Sequence, residues 1–218
     1  MQEVSPTQTA ELPRAYILAG GRSQRFSSGD KARVVTNGQP QLCSLIDQLK
    51  SAGHATQVVA DESDRYADLG IASLVDECPG SGPFSALLAA INHERYEESK
   101  SASRGLLLLP CDLLRWRAEW SEQLRHREAS VACFASTDQE KSFQPMPAFY
   151  RVALEPSLRA AFDDGERSLQ RWITKFAEKQ PSEVHAVHSI KTPRNWSFNS
   201  DKELSALLRS LDAGGSTE

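Results

Sequence analysis

An α/β fold with a mostly parallel sheet is predicted by three features of the chain. Short, almost purely apolar runs recur along it, helix-patterned stretches separate them, and several runs stop at glycine, proline or aspartate. Strands covered on both faces read as continuous apolar runs, and strands alternating with helices build parallel sheets.

The elements follow in order. Residues 15–19 form an apolar run that stops at Gly20-Gly21, a buried strand meeting a turn. Residues 42–52 place Leu42, Leu45, Ile46 and Leu49 on one helical face. Residues 57–60 read as a second strand and 73–75 as a third, entering Asp76. Pro83 precedes the alanine-rich apolar stretch 84–91, and proline suits the first turn of a helix. Residues 105–109 are nearly all leucine and end in Pro110-Cys111-Asp112. Further strands are expected at 130–135, 147–150 and 183–188, and helices at 153–162, 168–176 and 202–211. With no internal repeat and no long linker, residues 14–211 are expected to form one domain. A polar leader, 1–13, is expected to be disordered, and 212–218 to be a flexible tail.

Composition narrows the function classes. The 218 residues carry 25 basic and 29 acidic side chains, a net charge of −4. Nucleic-acid binding normally shows a basic excess, so no nucleic-acid partner is expected. Cys43, Cys78, Cys111 and Cys133 contain no C-x-x-C pair. They indicate neither a structural zinc site nor a disulfide framework, but reduced thiols in a cytoplasmic protein. No apolar run approaches the roughly 20 residues that span a bilayer, and the first residues lack a signal-peptide pattern. A monomer without a membrane partner is expected.

Ligands of open α/β sheets sit beyond the carboxyl ends of the strands, and three such ends are unusual here. Leu18-Ala19-Gly20-Gly21 runs on through Arg22, Arg25, Gly29 and Asp30 to Lys31. Glycines bring backbone N–H groups close to phosphate oxygens, and the basic side chains supply charge. This is a candidate triphosphate cradle, although it matches neither G-x-x-x-x-G-K-[ST] nor G-x-G-x-x-G. Taken alone, it also describes a glycine-rich surface turn with solvated arginines. Asp112 ends a wholly apolar strand, where a carboxylate needs solvent, a partner or a metal. Mg²⁺ takes one or two carboxylates plus substrate phosphates; the competing reading of Asp112 is a cap on a following helix or turn. Asp76 leads into Pro79-Gly80-Ser81-Gly82-Pro83, a rigid loop able to wrap a base or simply to enter a helix.

Together these pieces resemble the molybdenum cofactor guanylyltransferase (MobA) family. Leu18 through Ala32 is similar to its L-A-G-G-x-S-x-R-M-G-x-D-K-A pattern in a longer form. Asp76-Glu77-Cys78-Pro79-Gly80-Ser81-Gly82-Pro83 resembles D-x-x-P-G-x-G-P, and Cys111-Asp112 resembles the start of C-D-M-P. Gln144-Pro145 through Tyr150-Arg151, Gly165-Glu166-Arg167-Ser168-Leu169 and Phe198-Asn199 through Leu204 are similar to three later family segments, in order. The chain departs from the pattern at Ser27-Ser28, Ser85-Ala86, Leu114 and Ser197, and it has Asp61 where the family places asparagine.

The resemblance implies a Rossmann-like, three-layer α/β/α nucleotidyltransferase fold. It implies an enzyme that uses Mg²⁺ to join GTP to molybdopterin-bound molybdenum and releases pyrophosphate. Family roles put Leu18, Ala19, Gly20, Lys31, Asp76 and Asp112 on the nucleotide, with Asp112 also on the metal. Gly21 and Gly82 are expected to shape the nucleotide loops, Arg25 and Lys31 to hold the departing phosphates, and Asn199 and Arg167 to meet the acceptor; for Arg167 a plain surface arginine is the competing reading. Partners would be GTP, a molybdopterin-type cofactor, and other cofactor-biosynthesis or molybdoenzyme-maturation proteins. Use of CTP or of a sugar phosphate, and a nucleotide-binding protein that has lost catalysis, remain as alternatives. His54, His93, His126, His185 and His188 show no metal spacing. The four tryptophans read as packing residues. Glu94, Glu97 and Glu98 with Arg95 and Lys100 read as a solvated helix face.

Overall fold

Alternation of apolar side chains through a central sheet creates two cores. A computed structural model describes residues 12–20, 29–97, 105–126, 128–135, 143–188 and 196–214. The strands are β1 (Ala15–Leu18), β2 (Val35–Thr36), β3 (Gln39–Pro40), β4 (Thr56–Ala60), β5 (Ser73–Val75), β6 (Gly105–Pro110), β7 (Val131–Ala135), β8 (Phe143–Arg151) and β9 (Val184–His188). The helices are α1 (Gln41–Ser51), α2 (Pro83–Glu97), α3 (Ala118–Leu124), α4 (Glu155–Asp163), α5 (Leu169–Lys179) and α6 (Asp201–Gly214).

Seven strands form one sheet in the order β5-β4-β1-β6-β8-β7-β9. β4 and β6 flank β1 in parallel, and β5 extends the sheet beyond β4. β8 is antiparallel to both β6 and β7, while β9 is parallel to β7. The sheet is thus the mostly parallel one expected, with one reversed strand. β2 and β3 form a separate hairpin.

Side chains of a strand point alternately to opposite faces. Tyr16, Leu106 and Leu108 enter one core, packed beneath α2, α4 and α5 through Phe84, Leu158 and Trp172. Ile17, Leu107 and Leu109 enter the other, beneath α1 and α3 through Leu45, Leu49 and Trp120. Helices on both faces of the sheet give the three layers.

Some sequence expectations are corrected. Glu94 is not on a solvated face: it is 1% exposed, accepts from the Tyr16 hydroxyl at 2.7 Å and pairs with Arg14 at 3.3 Å. Its helical position turns it toward β1, and a buried carboxylate persists there because both partners meet it. Pro13, assigned to the leader, is buried, and its carbonyl bonds His54 at 2.8 Å. α6 runs to Gly214, three residues past the expected end. Trp116, Trp120 and Trp172 are buried packing residues as expected, and all four cysteines are free thiols. Among the described residues, no helix is long and apolar enough to cross a membrane.

Candidate active site

Four parallel strands deliver their carboxyl ends to one cleft of about 780 Å³. Leu18, Ala19 and Gly20 come from β1, Asp61 from just past β4, Asp76 from just past β5, and Cys111 and Asp112 from just past β6. The chain leaves β1 through α1 on one face and reaches β6 through α2 on the other. That reversal opens a crevice at the strand ends. Gly20 is needed for the close approach there: a Cβ on it would lie 3.1 Å from the Asp61 nitrogen and 3.3 Å from Ala60 backbone atoms. The β1 end is also tied to its neighbours by Ala19 N–H to Val59 O at 2.9 Å and Cys111 N–H to Leu18 O at 3.1 Å.

Lys31 is placed by its preceding residue. Asp30 caps the 3-10 turn Lys31–Arg33, its Oδ1 accepting the Ala32 N–H at 3.0 Å. Behind Asp30 stands a polar network. Arg65 reaches it at 3.3 Å and also clasps both oxygens of Asp61. The Tyr66 hydroxyl donates to the Ala19 carbonyl at 2.7 Å and lies 3.2 Å from Asp30. So anchored, the Lys31 ammonium enters the cleft and donates to Asp112 Oδ2 at 2.9 Å and to Asn199 Oδ1 at 2.8 Å. Burial raises the Asp112 carboxyl above its ordinary pKa and outweighs the downward pull of the Lys31 charge and hydrogen bond.

Asn199 arrives from the far end of the chain. Ser197 bridges antiparallel to Leu113, Leu114 N–H bonds Trp196 O at 2.8 Å, and Phe198 N–H bonds Asp112 O at 3.3 Å. Phe198 is fully buried against Leu114 and Leu204. Ser200 caps α6: its hydroxyl accepts the Glu203 N–H at 3.2 Å, and the Glu203 carboxylate reaches back one residue further to accept the Asn199 N–H at 2.6 Å.

The opposite wall is the loop from Asp76 to Pro83. Asp76 Oδ1 accepts the Cys78 N–H at 2.9 Å, and Ser85 Oγ donates to carbonyls of the loop, Cys78 at 3.1 Å or Gly82 at 3.2 Å. Gly82 turns with φ +83°, a left-handed conformation that favours glycine. Asp76, Pro79, Gly80, Gly82 and Pro83 all line the cleft.

The residue pattern and this geometry match a known domain. The family model of the MobA-like NTP transferase domain matches residues 15–183. The chain belongs to that family.

Among curated relatives, the molybdenum cofactor guanylyltransferase of Shewanella putrefaciens is 29% identical over 198 residues, covering 85% of this chain and 96% of its own. That of Shewanella loihica is 31% identical over 163 residues, covering 74% and 80%. Among solved structures, the molybdopterin-guanine dinucleotide biosynthesis protein A from Archaeoglobus fulgidus superposes with a TM-score of 0.69 at 14% identity, covering 92% of this chain and 99% of that one. As a MobA-like NTP transferase, the chain is a nucleotidyltransferase with the Rossmann-like α/β fold.

Within this transferase, Leu18, Ala19, Gly20, Lys31, Asp76, Gly82 and Asp112 share one cleft, and Asn199 joins them through Lys31. Gly21 and Arg25 lie outside the described residues. Arg167 is not among the cleft-lining residues: its guanidinium lies 3.8 Å from the Phe162 ring centroid and donates to Phe162 O at 2.6 Å. Its carbonyl oxygen lies 3.9 Å from where a Cβ on Gly82 would be, so its backbone abuts the Asp76 to Pro83 loop. Sequence reasoning gave no role of their own to Asp30 and Met146, and it missed Arg65 and Tyr66; Asp30, Arg65 and Tyr66 fix Lys31, and Met146 lines the cleft from β8. The i, i+4 spacing of Asp61 and Arg65 was an available signal.

Among the described residues no cluster of three or more His, Cys, Asp or Glu side chains is arranged to hold a metal. Among the described residues, the carboxylate that Lys31 meets is Asp112, 15% exposed and desolvated. It suits Mg²⁺, which keeps several waters and completes its shell with substrate phosphates. It does not suit zinc, which requires three or four protein ligands.

Proposed function

We propose that this chain transfers the GMP moiety of GTP to molybdopterin-bound molybdenum, forming the guanine dinucleotide cofactor and releasing pyrophosphate. The observation that carries the reading is the Lys31–Asp112 pair in the cleft built by the four strand ends. It puts a cation for the leaving phosphates beside a carboxylate for a metal. The guanylyl and molybdopterin assignments follow the relatives, which bear that activity in their names over most of their length.

In the transfer, a phosphate oxygen of the acceptor attacks the α-phosphorus of GTP. The bond from that phosphorus to the β-phosphate oxygen breaks, and pyrophosphate leaves with the bonding electrons. Such reactions depend on positioning and charge neutralisation rather than on a covalent enzyme intermediate. Leu18, Ala19 and Gly20 form the floor under the nucleotide, and Asp76 with the Gly82 loop forms the wall around its base. Lys31 neutralises the leaving phosphates, together with Arg25 and the Gly21 N–H. Asp112 would hold Mg²⁺, which supplies charge compensation on the phosphate oxygens. Asn199 orients the acceptor, and Arg167, packed on Phe162 beside the Gly82 loop, would have to turn toward the cleft to meet it.

Thermal-shift titration with GTP, CTP, ATP and UTP in Mg²⁺ tests the nucleotide. A ligand at a hundred times its dissociation constant stabilises by about 2.7 kcal/mol, and GTP is expected to do so selectively. Pyrophosphate release with GTP and molybdopterin tests the transfer, and its absence would rule the reading out.

A further inference from the structure

Among the described residues, the Lys31 ammonium meets two acceptors that the reading above gives different tasks. It donates to Asp112, the carboxylate suited to the metal, and to Asn199, read above as orienting the acceptor. Asn199 is exposed, yet it is not loosely presented. Its N–H is held by Glu203 at 2.6 Å, and the residue before it, Phe198, is fully buried. The segment leading into α6 therefore offers the carboxamide oxygen to Lys31 from a fixed base.

Such a contact has a direction. A carboxamide meets an ammonium as a dipole, whereas a triphosphate meets it as a multiple charge, so the phosphate is the stronger competitor. While Lys31 bonds Asn199, the carboxamide oxygen is committed and the ammonium is drawn toward α6.

We propose that Asn199 is a positioning residue that restrains Lys31 in the nucleotide-free site, and that the arriving triphosphate takes Lys31 from it, freeing Asn199 for the acceptor so that nucleotide binds before acceptor. The proposal rests on the reading of Lys31 as a triphosphate ligand. Breaking the restraint draws on the free energy of nucleotide binding, so removing it tightens nucleotide binding.

The test is calorimetric titration of a non-hydrolysable GTP analogue with Mg²⁺ into the full chain. Asn199→Ala is expected to tighten binding by about threefold to tenfold, the size of a modest hydrogen bond. Asn199→Asp offers Lys31 a full charge and is expected to weaken binding by roughly tenfold. A residue that merely contacted the nucleotide or supported the fold would not give these opposite signs. If both variants weaken binding, or neither changes it, the proposal is overturned. Lys31→Ala separates this from failure of the underlying reading. Weaker nucleotide binding in that variant keeps Lys31 as a phosphate ligand whatever the Asn199 variants do; unchanged binding removes both. Molybdopterin binding that rises on addition of the analogue supports the order, and equal binding with and without it overturns the order.

Discussion

The Tyr16 hydroxyl donates to the buried carboxylate of Glu94 at 2.7 Å, joining the central strand to α2 near the amino end of the sheet. His93 shares the same hydroxyl at 2.8 Å, and Arg14 pairs with the carboxylate. The cluster lies at the opposite end of β1 from Leu18 and Gly20. Tyr16→Phe is expected to cost about 1–3 kcal/mol, because it removes a donor from a buried acceptor. A urea midpoint measures the loss, and nucleotide affinity of the folded variant should be unchanged.

His54 makes stability depend on pH. It is 2% exposed, bonded to Pro13 O at 2.8 Å and Ser121 Oγ at 2.7 Å. Burial pushes its pKa down, and the Pro13 carbonyl only partly opposes this. Below about pH 6.5 the unfolded imidazole takes up a proton while the folded one stays neutral. The unfolded state then binds more protons, so stability is present above that pH and is lost as pH falls toward the lowered folded value. His185, pushed down by burial and by His126 and His188, acts in the same direction. Urea midpoints at pH 8 and pH 5 should differ, and His54→Gln should narrow the difference.

Gly105 opens β6 against β8. A Cβ there would collide with the Phe149 ring and lie 2.7 Å from Tyr150 O. Because one of those neighbours is backbone, the strand pair must shift. Gly105→Ala is expected to destabilise by about 1–3 kcal/mol. A midpoint equal to that of the parent chain would contradict the packing.

Asp112→Ala should reduce transfer by on the order of a hundredfold or more, as when a single preorganised charge at the reacting centre is lost. The circular dichroism spectrum should be unchanged, since Asp112 contributes its side chain to the cleft rather than to a core. Full pyrophosphate release by this variant would remove its metal role.

Residues 15–18 and the leucines of β6 were legible because both faces of a central strand are buried, which leaves a continuous apolar signature. The β2–β3 hairpin was missed although Asn37-Gly38 marks it; these residues have φ of 52° and 81°, and the strands they join are only two residues long. The reversal of β8 was also readable in principle. The stretch 136–142 after β7 is too short for the dozen or more residues that a parallel crossover needs. Of the cleft, Lys31, Asp76 and Asp112 could be found because each stands at a strand end or in a recognisable loop. Tyr66 could not, because it reaches the site from a segment whose local sequence carries no sign of it; Arg65 offered only its i, i+4 spacing from Asp61, and Met146 only its place in the Gln144 to Arg151 segment.

The reversal of β8 has a further consequence. A parallel strand can contribute only its last residues to the ligand side, so its whole apolar body must be in place before the site exists. β8 runs the other way and offers its opening residues, Met146 among them. Substitutions near the start of β8 can therefore alter the shape of the cleft wall at Met146 while the strand's anchoring half, Ala148 to Arg151 against β6, keeps its register. The sheet thus holds one adjustable edge beside four fixed strand ends, and drift in substrate choice among such transferases would be expected to concentrate there.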